Sequence, residues 1–160
     1  SFIMATKKYE RKYGLPETIE DLKRHTILLR YTQNLGYSNK LENGTETYYI
    51  DRGHRVQHGD AAACREMLLA GEGLAIDLTP GFVSDYLASG FVFPVLKGWH
   101  REPCHYHVYC RAGSQDDKVL RELMAYVERG VFATFANQWQ FWYGKLWIPM
   151  PEGFVPQAKS

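Results

Sequence analysis

No charge of one sign dominates this chain. Nineteen Lys and Arg face eighteen Asp and Glu, for a formal net charge of +1 over 160 residues. A surface built chiefly to hold nucleic acid carries a strong basic excess, so specific DNA binding by this chain alone is not expected. Cysteine is scarce and its count is odd, at three. A disulfide-framed secreted domain uses an even, denser set. Free thiols in a reducing cytoplasm fit better, and a chain of this length buries a sizeable core without cross-links. Long apolar runs are also missing. Nothing approaches the roughly 18 residues that a membrane-crossing helix needs, so no membrane partner is expected. In the opening "SFIMATKKYERKYG" the lysines follow a short apolar run, the reverse of a signal peptide. Internal repeats and low-complexity segments are absent, and so are GxSxG, GxGxxG, P-loop, CxxC and HExxH signatures. The strongest one-line signals for hydrolase, dinucleotide, nucleotide and zinc chemistry are therefore lacking. No catalytic residue, cofactor or metal is assigned.

What is present suits a globular domain: 45% of residues are hydrophobic and 23% charged. Phe2 to Ala5 reads as a strand, and Lys7 to Tyr13 as a helix stopped by Gly14. Thr18, with Asp21 three residues on, marks a helix start ahead of Ile19 and Leu22. "TILLRY" (26–31) is β-type, 33–43 reads as a polar loop or hairpin turn ending in "NG", and "TETYYI" and "HRVQH" read as two further strands. "GDAAACREMLLAGEG" is the clearest helix. Asp60 is placed to cap it, Cys64, Met67 and Leu68 recur at helical spacing, and Gly71 ends it. "LAIDL" is a short buried strand. Thr79 then caps a helix with Pro80 at its first position, and that helix stops at Gly90. "FVFPVL" and "CHYHVYC" read as strands. Ser114 is the expected cap of a last helix with Val119, Leu120, Leu123, Met124 and Val127 on one face. Strands alternating with helices predict an α/β layered domain with a parallel or mixed sheet.

Residues 100–110, "HREPCHYHVYC", hold three of the six histidines and two of the three cysteines. On a strand, alternate side chains share a face. His105 and His107 then point one way, and Cys104 and Cys110 the other. Two histidines two apart can reach one ion, but zinc needs further ligands, and the cysteines lie on the wrong face. The stretch is expected to be structural. A small metal-dependent enzyme using His105 and His107 is the alternative. Cys64 sits in an apolar stripe, where a thiol is usually inert. Asp77 ends a strand and could face a cleft.

Taken in order, three segments resemble LysR-type transcriptional regulators. "KYERKYGLPETIEDLKRHTILLRY" matches the family's "G.P.tp.DL..H" run. "GDAAACREMLLAGEGLAIDLTPGFVSDYLASGFVFPVLKGW" matches its "A..AGlGIa.lP" helix–strand and "sG.Lv.vL..W" segments. "CHYHVYCRAGSQDDKVLRELMAYV" matches its returning strand and final helix. The resemblance covers about residues 2–128. It implies a layered Rossmann-like subdomain of a type 2 periplasmic-binding-protein-like fold, with a C-terminal helical extension. Residues 1–6 would be a crossover strand, 7–103 the second effector-binding subdomain, and 104–111 the returning crossover strand. Residues 112–160 would hold the C-terminal helix of the first subdomain plus an aromatic extension. The winged helix-turn-helix and most of the first subdomain would lie outside this chain. Half of a solute-binding protein is a further alternative.

The resemblance places a small-molecule effector between two subdomains. Contacts would come from the crossover at Thr6 and from the loop entering the "A..AG" helix at His58, Gly59 and Asp60. Free N–H groups at that helix start favour a polar or anionic ligand. Asp60 caps the same groups or contacts the ligand, and His58 is either a carboxylate partner or a solvated strand end. Asp77 and Thr79, after the next strand, complete the candidates. Phe132, Phe135, Trp139 and Trp142 follow three-and-four spacing, and a homo-oligomer burying this stripe is expected. The implied role is a cytoplasmic ligand-sensing module that reaches DNA only through a missing N-terminal domain.

Overall fold

The computed structural model describes residues 1–31, 39–102, 108–114, 116–138, 142 and 144–146. Five strands form one sheet: β1 (Met4–Thr6), β2 (Thr26–Arg30), β5 (Arg55–Gly59), β6 (Leu74–Ala75) and β7 (Val92–Pro94), in the order β5-β2-β6-β1-β7. β2 runs parallel to both β5 and β6, with Leu29 opposite His58 and Ile27 opposite Leu74. β1 is antiparallel to both its neighbours, Met4 facing Ala75 on one side and Pro94 on the other. The strands are short and apolar, and both faces are covered, as parallel sheets require. Ile3, Ala5, Ile27, Leu29, Leu74 and Ile76 join Tyr9, Leu22, Leu41 and Trp99 in one buried cluster. Met4, Leu28 and Ala75, at alternate positions, are equally buried.

The helices sit where their punctuation puts them. α1 (Lys7–Tyr13) begins at Thr6, whose Oγ1 accepts the Tyr9 N–H at 3.2 Å, and ends at Gly14. α2 (Ala61–Ala70) is capped by Asp60 and ends at Gly71, held in the left-handed region at φ 74° where a side chain would be strained. After β6 the chain makes a 3₁₀ turn, Pro80–Val83, before α3 (Ser84–Ala88). The Thr79 hydroxyl makes no capping bond; its carbonyl accepts the Phe82 N–H instead. Ile19–Arg24 is also 3₁₀, not α. Asp21 reaches back to the Thr18 N–H and hydroxyl at 2.9 Å each.

Three expectations change. Of the stretch 33–43, expected as a loop or hairpin turn, the described end forms the hairpin and adds a strand: β3 (Lys40–Glu42) pairs with β4 (Thr47–Tyr49). The Asn43 carboxamide oxygen takes the Glu46 N–H at 2.8 Å in the turn, and buried Leu41 holds the strand in the core. "LAIDL" contributes only two residues to the sheet. The last helix, α4 (Lys118–Gln138), starts four residues after Ser114. Its cap is Asp117, which accepts the Val119 and Leu120 N–H groups at 2.9 and 3.2 Å. An aspartate beside free N–H groups is the stronger cap, since its charge also meets the helix dipole.

Two compact units result: Ser1–Glu102 with Leu146–Ile148, and Pro103–Lys145 with Pro149–Ser160. Residues 1–6 belong to the first unit because β1 lies inside its sheet. The expected returning strand 104–111 falls largely outside the described residues. Its described part, 108–111, is not in a strand.

Candidate functional site

β2, β5, β6 and β7 all point the same way, so their carboxyl ends share one edge of the sheet. From β2 the chain runs out to β5, then crosses back to β6 on the other side of β2. The strand order therefore reverses between β2 and β6. In open α/β sheets ligands bind outside the carboxyl ends of the strands at such a reversal.

Five of the predicted residues come to this edge through β5 and β6. His58 and Gly59 end β5, with Gly59 opposite Arg30. A Cβ on Gly59 would stand 2.8 Å from the Ala63 Cβ and 3.2 Å from the Met67 Cε, so the residue lets α2 close onto the strand. The His58 side chain is exposed. Asp60 is resolved as the helix cap, its Oδ1 accepting the Ala63 N–H at 2.8 Å. Asp77, just past β6, is buried, and both its carboxylate oxygens accept the Arg30 N–H, at 3.1 and 3.0 Å. That contact ties the end of β6 to the end of β2. Thr79 follows two residues later, half-buried.

Thr6 is not brought to this group. β1 runs opposite to its neighbours, so Thr6, paired with Val92, stands at the amino edge of β7. It is fully buried, and its hydroxyl is committed to the α1 cap. The part of the crossover that does reach the carboxyl edge is its first residue: the Ser1 hydroxyl donates to the Asp77 carbonyl at 3.1 Å.

Sequence reasoning missed the arginines. Arg30 Nε lies 3.9 Å and Arg101 Nη1 3.6 Å from Asp77 Oδ2. Arg30 and Asp77 are 47 residues apart, too far for any local pattern to pair them. Burial pushes the Asp77 carboxyl above the ordinary carboxylate range, with Arg101 and then the Arg30 N–H pulling it back. Burial likewise lowers Arg101, against the field of Asp77.

The Cys64 thiol is closed off. Cys64 is buried, its Sγ 3.6 Å from the Gly59 carbonyl, and burial pushes its pKa up to about 11. His105 and His107 lie outside the described residues. Among the described residues no group of three His, Cys, Asp or Glu is placed to hold a metal ion.

Residues 2–131 match the family model of the LysR substrate binding domain. The chain belongs to that family. Its fold is the mixed α/β, type 2 periplasmic-binding-protein-like fold of that domain. The regulatory domain of AphB from Vibrio vulnificus is similar, at 25% identity and a TM-score of 0.51 over 61% of this chain and 48% of that one. Full-length AphB, the Vibrio cholerae virulence activator, matches at 25% identity and a TM-score of 0.50, over 61% of this chain and 33% of that one. The CrgA regulatory domain from Neisseria meningitidis supports the fold alone, at 21% identity and a TM-score of 0.55, over 78% of this chain and 61% of that one. The chain thus spans about half the length of the regulatory domains it matches. A search of curated proteins found no match.

Proposed function

We propose that this chain is the metabolite-sensing part of a LysR-type regulator, and that it takes a small polar or anionic effector at the carboxyl edge of its five-stranded sheet. The reading rests on one observation: Gly59, just ahead of α2, pairs with Arg30 at the end of β2, and the Asp77 carboxylate beyond β6 accepts the Arg30 N–H, so both segments come to the reversal in strand order at the end of β2. Binding there biases the arrangement of a DNA-binding domain elsewhere in the regulator. The chain is not an enzyme, acts in the cytoplasm and works as a homo-oligomer. The absence of an unbroken apolar helix long enough to cross a membrane, among the described residues, is compatible with that setting.

The test is a thermal-shift screen of the purified chain against anionic, neutral and cationic metabolites. A ligand at a hundred times its Kd stabilises the folded state by about 2.7 kcal/mol, which moves a melting midpoint by several degrees. One metabolite class is expected to give a saturable rise that His58→Ala weakens. If no class does so, and a reporter driven by the whole regulator ignores changes at His58 and Thr79, the site is wrong. Sedimentation at tens of micromolar tests the assembly: a monomer for the intact chain would remove the oligomer, as would an assembly unchanged by ending the chain at Arg129 remove the tail's part in it.

A further inference from the structure

The Asp77 cluster does not look like a pair kept for stability. Asp77 satisfies its oxygens on the Arg30 backbone N–H. Arg101 reaches it only as a charge, at 3.6 Å, beyond hydrogen-bond range for a guanidinium. Arg101 Nε and Nη1 are both buried with no hydrogen-bond partner, and so is the neighbouring His100 Nε2. A buried cationic donor without an acceptor is expensive, and such groups cluster where a ligand supplies what is missing. The charges are also unequal. Two guanidiniums face one buried carboxylate. Glu102, whose field also reaches Arg101, has a side chain 52% exposed and lies 3.9 Å from Lys40.

We propose that Arg101 and Arg30, set beside Asp77 where the strand order reverses, form an anion-binding centre, and that the effector carries a carboxylate or phosphate group. The proposal rests on the ligand-sensing reading above and names the chemical class of its ligand. A planar guanidinium fork meets a carboxylate or phosphate through two parallel hydrogen bonds. Arg30, with its side chain 26% exposed, receives the anion at the surface. Arg101, at 13% exposed the more buried of the two, supplies the unpartnered N–H groups. The anion takes Arg101 in competition with Asp77. It thereby acts on two chain segments at once, because the Arg101 N–H donates to the Ser1 carbonyl at 2.9 Å and the Ser1 hydroxyl donates to the Asp77 carbonyl.

The experiment titrates the intact chain with sodium succinate, sodium phosphate and sodium chloride at matched ionic strength, following the side-chain Nε–H resonance of Arg101. Succinate or phosphate is expected to shift it saturably, chloride is not, and the stronger of the two identifies the headgroup. Arg101→Lys keeps the charge beside Asp77 but loses the fork, and should weaken binding at least tenfold. Asp77→Asn keeps an acceptor for the Arg30 N–H but removes the competitor, and should tighten binding about tenfold. A merely structural cluster would not gain affinity from that change. Equal, linear shifts in all three salts overturn the proposal, as does Asp77→Asn binding more weakly than the parent. A neutral or cationic metabolite that saturates the chain while the Arg101 resonance stays still sinks the anion centre and leaves the ligand-sensing reading intact.

Discussion

Leu28 and Leu123 are the same side chain in opposite circumstances. Leu28, in β2, is completely buried, and so are Ile27 beside it and Leu74 on the neighbouring strand. Leu123, in α4, is 54% exposed, and Val119 one turn earlier is 75% exposed. β2 is buried on both faces, so its apolar residues run consecutively, whereas α4 carries its apolar residues at three-and-four spacing. The sheet finds its cover within the first unit, from α1, α2 and the β3–β4 hairpin. On the apolar side of α4, Val119, Leu123 and Val127 are exposed, while Leu120 and Met124 are partly buried. The β2 core is thus closed within the first unit, whereas Val119 and Leu123 lie at the surface of α4.

The largest test of that contrast is a pair of truncations. Leu28→Ala should cost about 2–5 kcal/mol in chemical denaturation, since it removes buried methyl groups and leaves a cavity. Leu123→Ala should stay within about 0.5 kcal/mol, as for an ordinary surface change. Equal losses would mean that α4 is as firmly packed as the sheet. Next comes Gly59→Ala. Its new Cβ would meet the Ala63 Cβ, and pushing α2 off the strand should cost about 1–3 kcal/mol. A neutral result would show that the helix and strand ends can slide.

A smaller effect concerns pH. His25 is buried and shares a 2.9 Å hydrogen bond with the Tyr9 hydroxyl, and burial holds its pKa below 6.5. The unfolded chain therefore takes up this proton first. The stabilisation is fully present above pH 6.5, and is lost as pH falls from there through the folded-state value, with a slope of at most about 1.4 kcal/mol per pH unit. Asp77 works in the opposite sense. Its carboxyl is raised from 3.8, so it favours the folded state most at low pH, and that contribution is lost as pH rises. Denaturation curves from pH 7.5 to 5 should lose stability in the parent and flatten in His25→Gln. A slope unchanged by that substitution would assign the titration elsewhere. The smallest effect belongs to α4: Asp117→Ala should cost about 1 kcal/mol and some helicity by circular dichroism, and Ser114→Ala almost nothing. The reverse ranking would restore Ser114 as the cap.

Much of the fold was legible because its signals are local. Gly14, Gly71 and Gly90 stop helices where a left-handed residue or a chain break is needed, and Asp60 caps α2 with its own side chain. β3 was not legible, since its three residues sit in a polar stretch and only Leu41 is buried. The cap of α4 was misplaced because Ser114 and Asp117 both carry capping side chains, and only backbone position separates them.

The site divides the same way. His58, Gly59 and Asp60 announce themselves as a strand end turning into a helix. Thr6 was grouped with them by analogy, but the antiparallel direction of β1 carries it to the other edge. Composition and pattern determined by themselves that this is an α/β layer of capped helices and short apolar strands, because burial period and caps act over three or four residues. Only the tertiary structure decided that Arg30 and Arg101 flank Asp77. Charges separated by tens of residues meet through strand order and direction, and no local spacing records either.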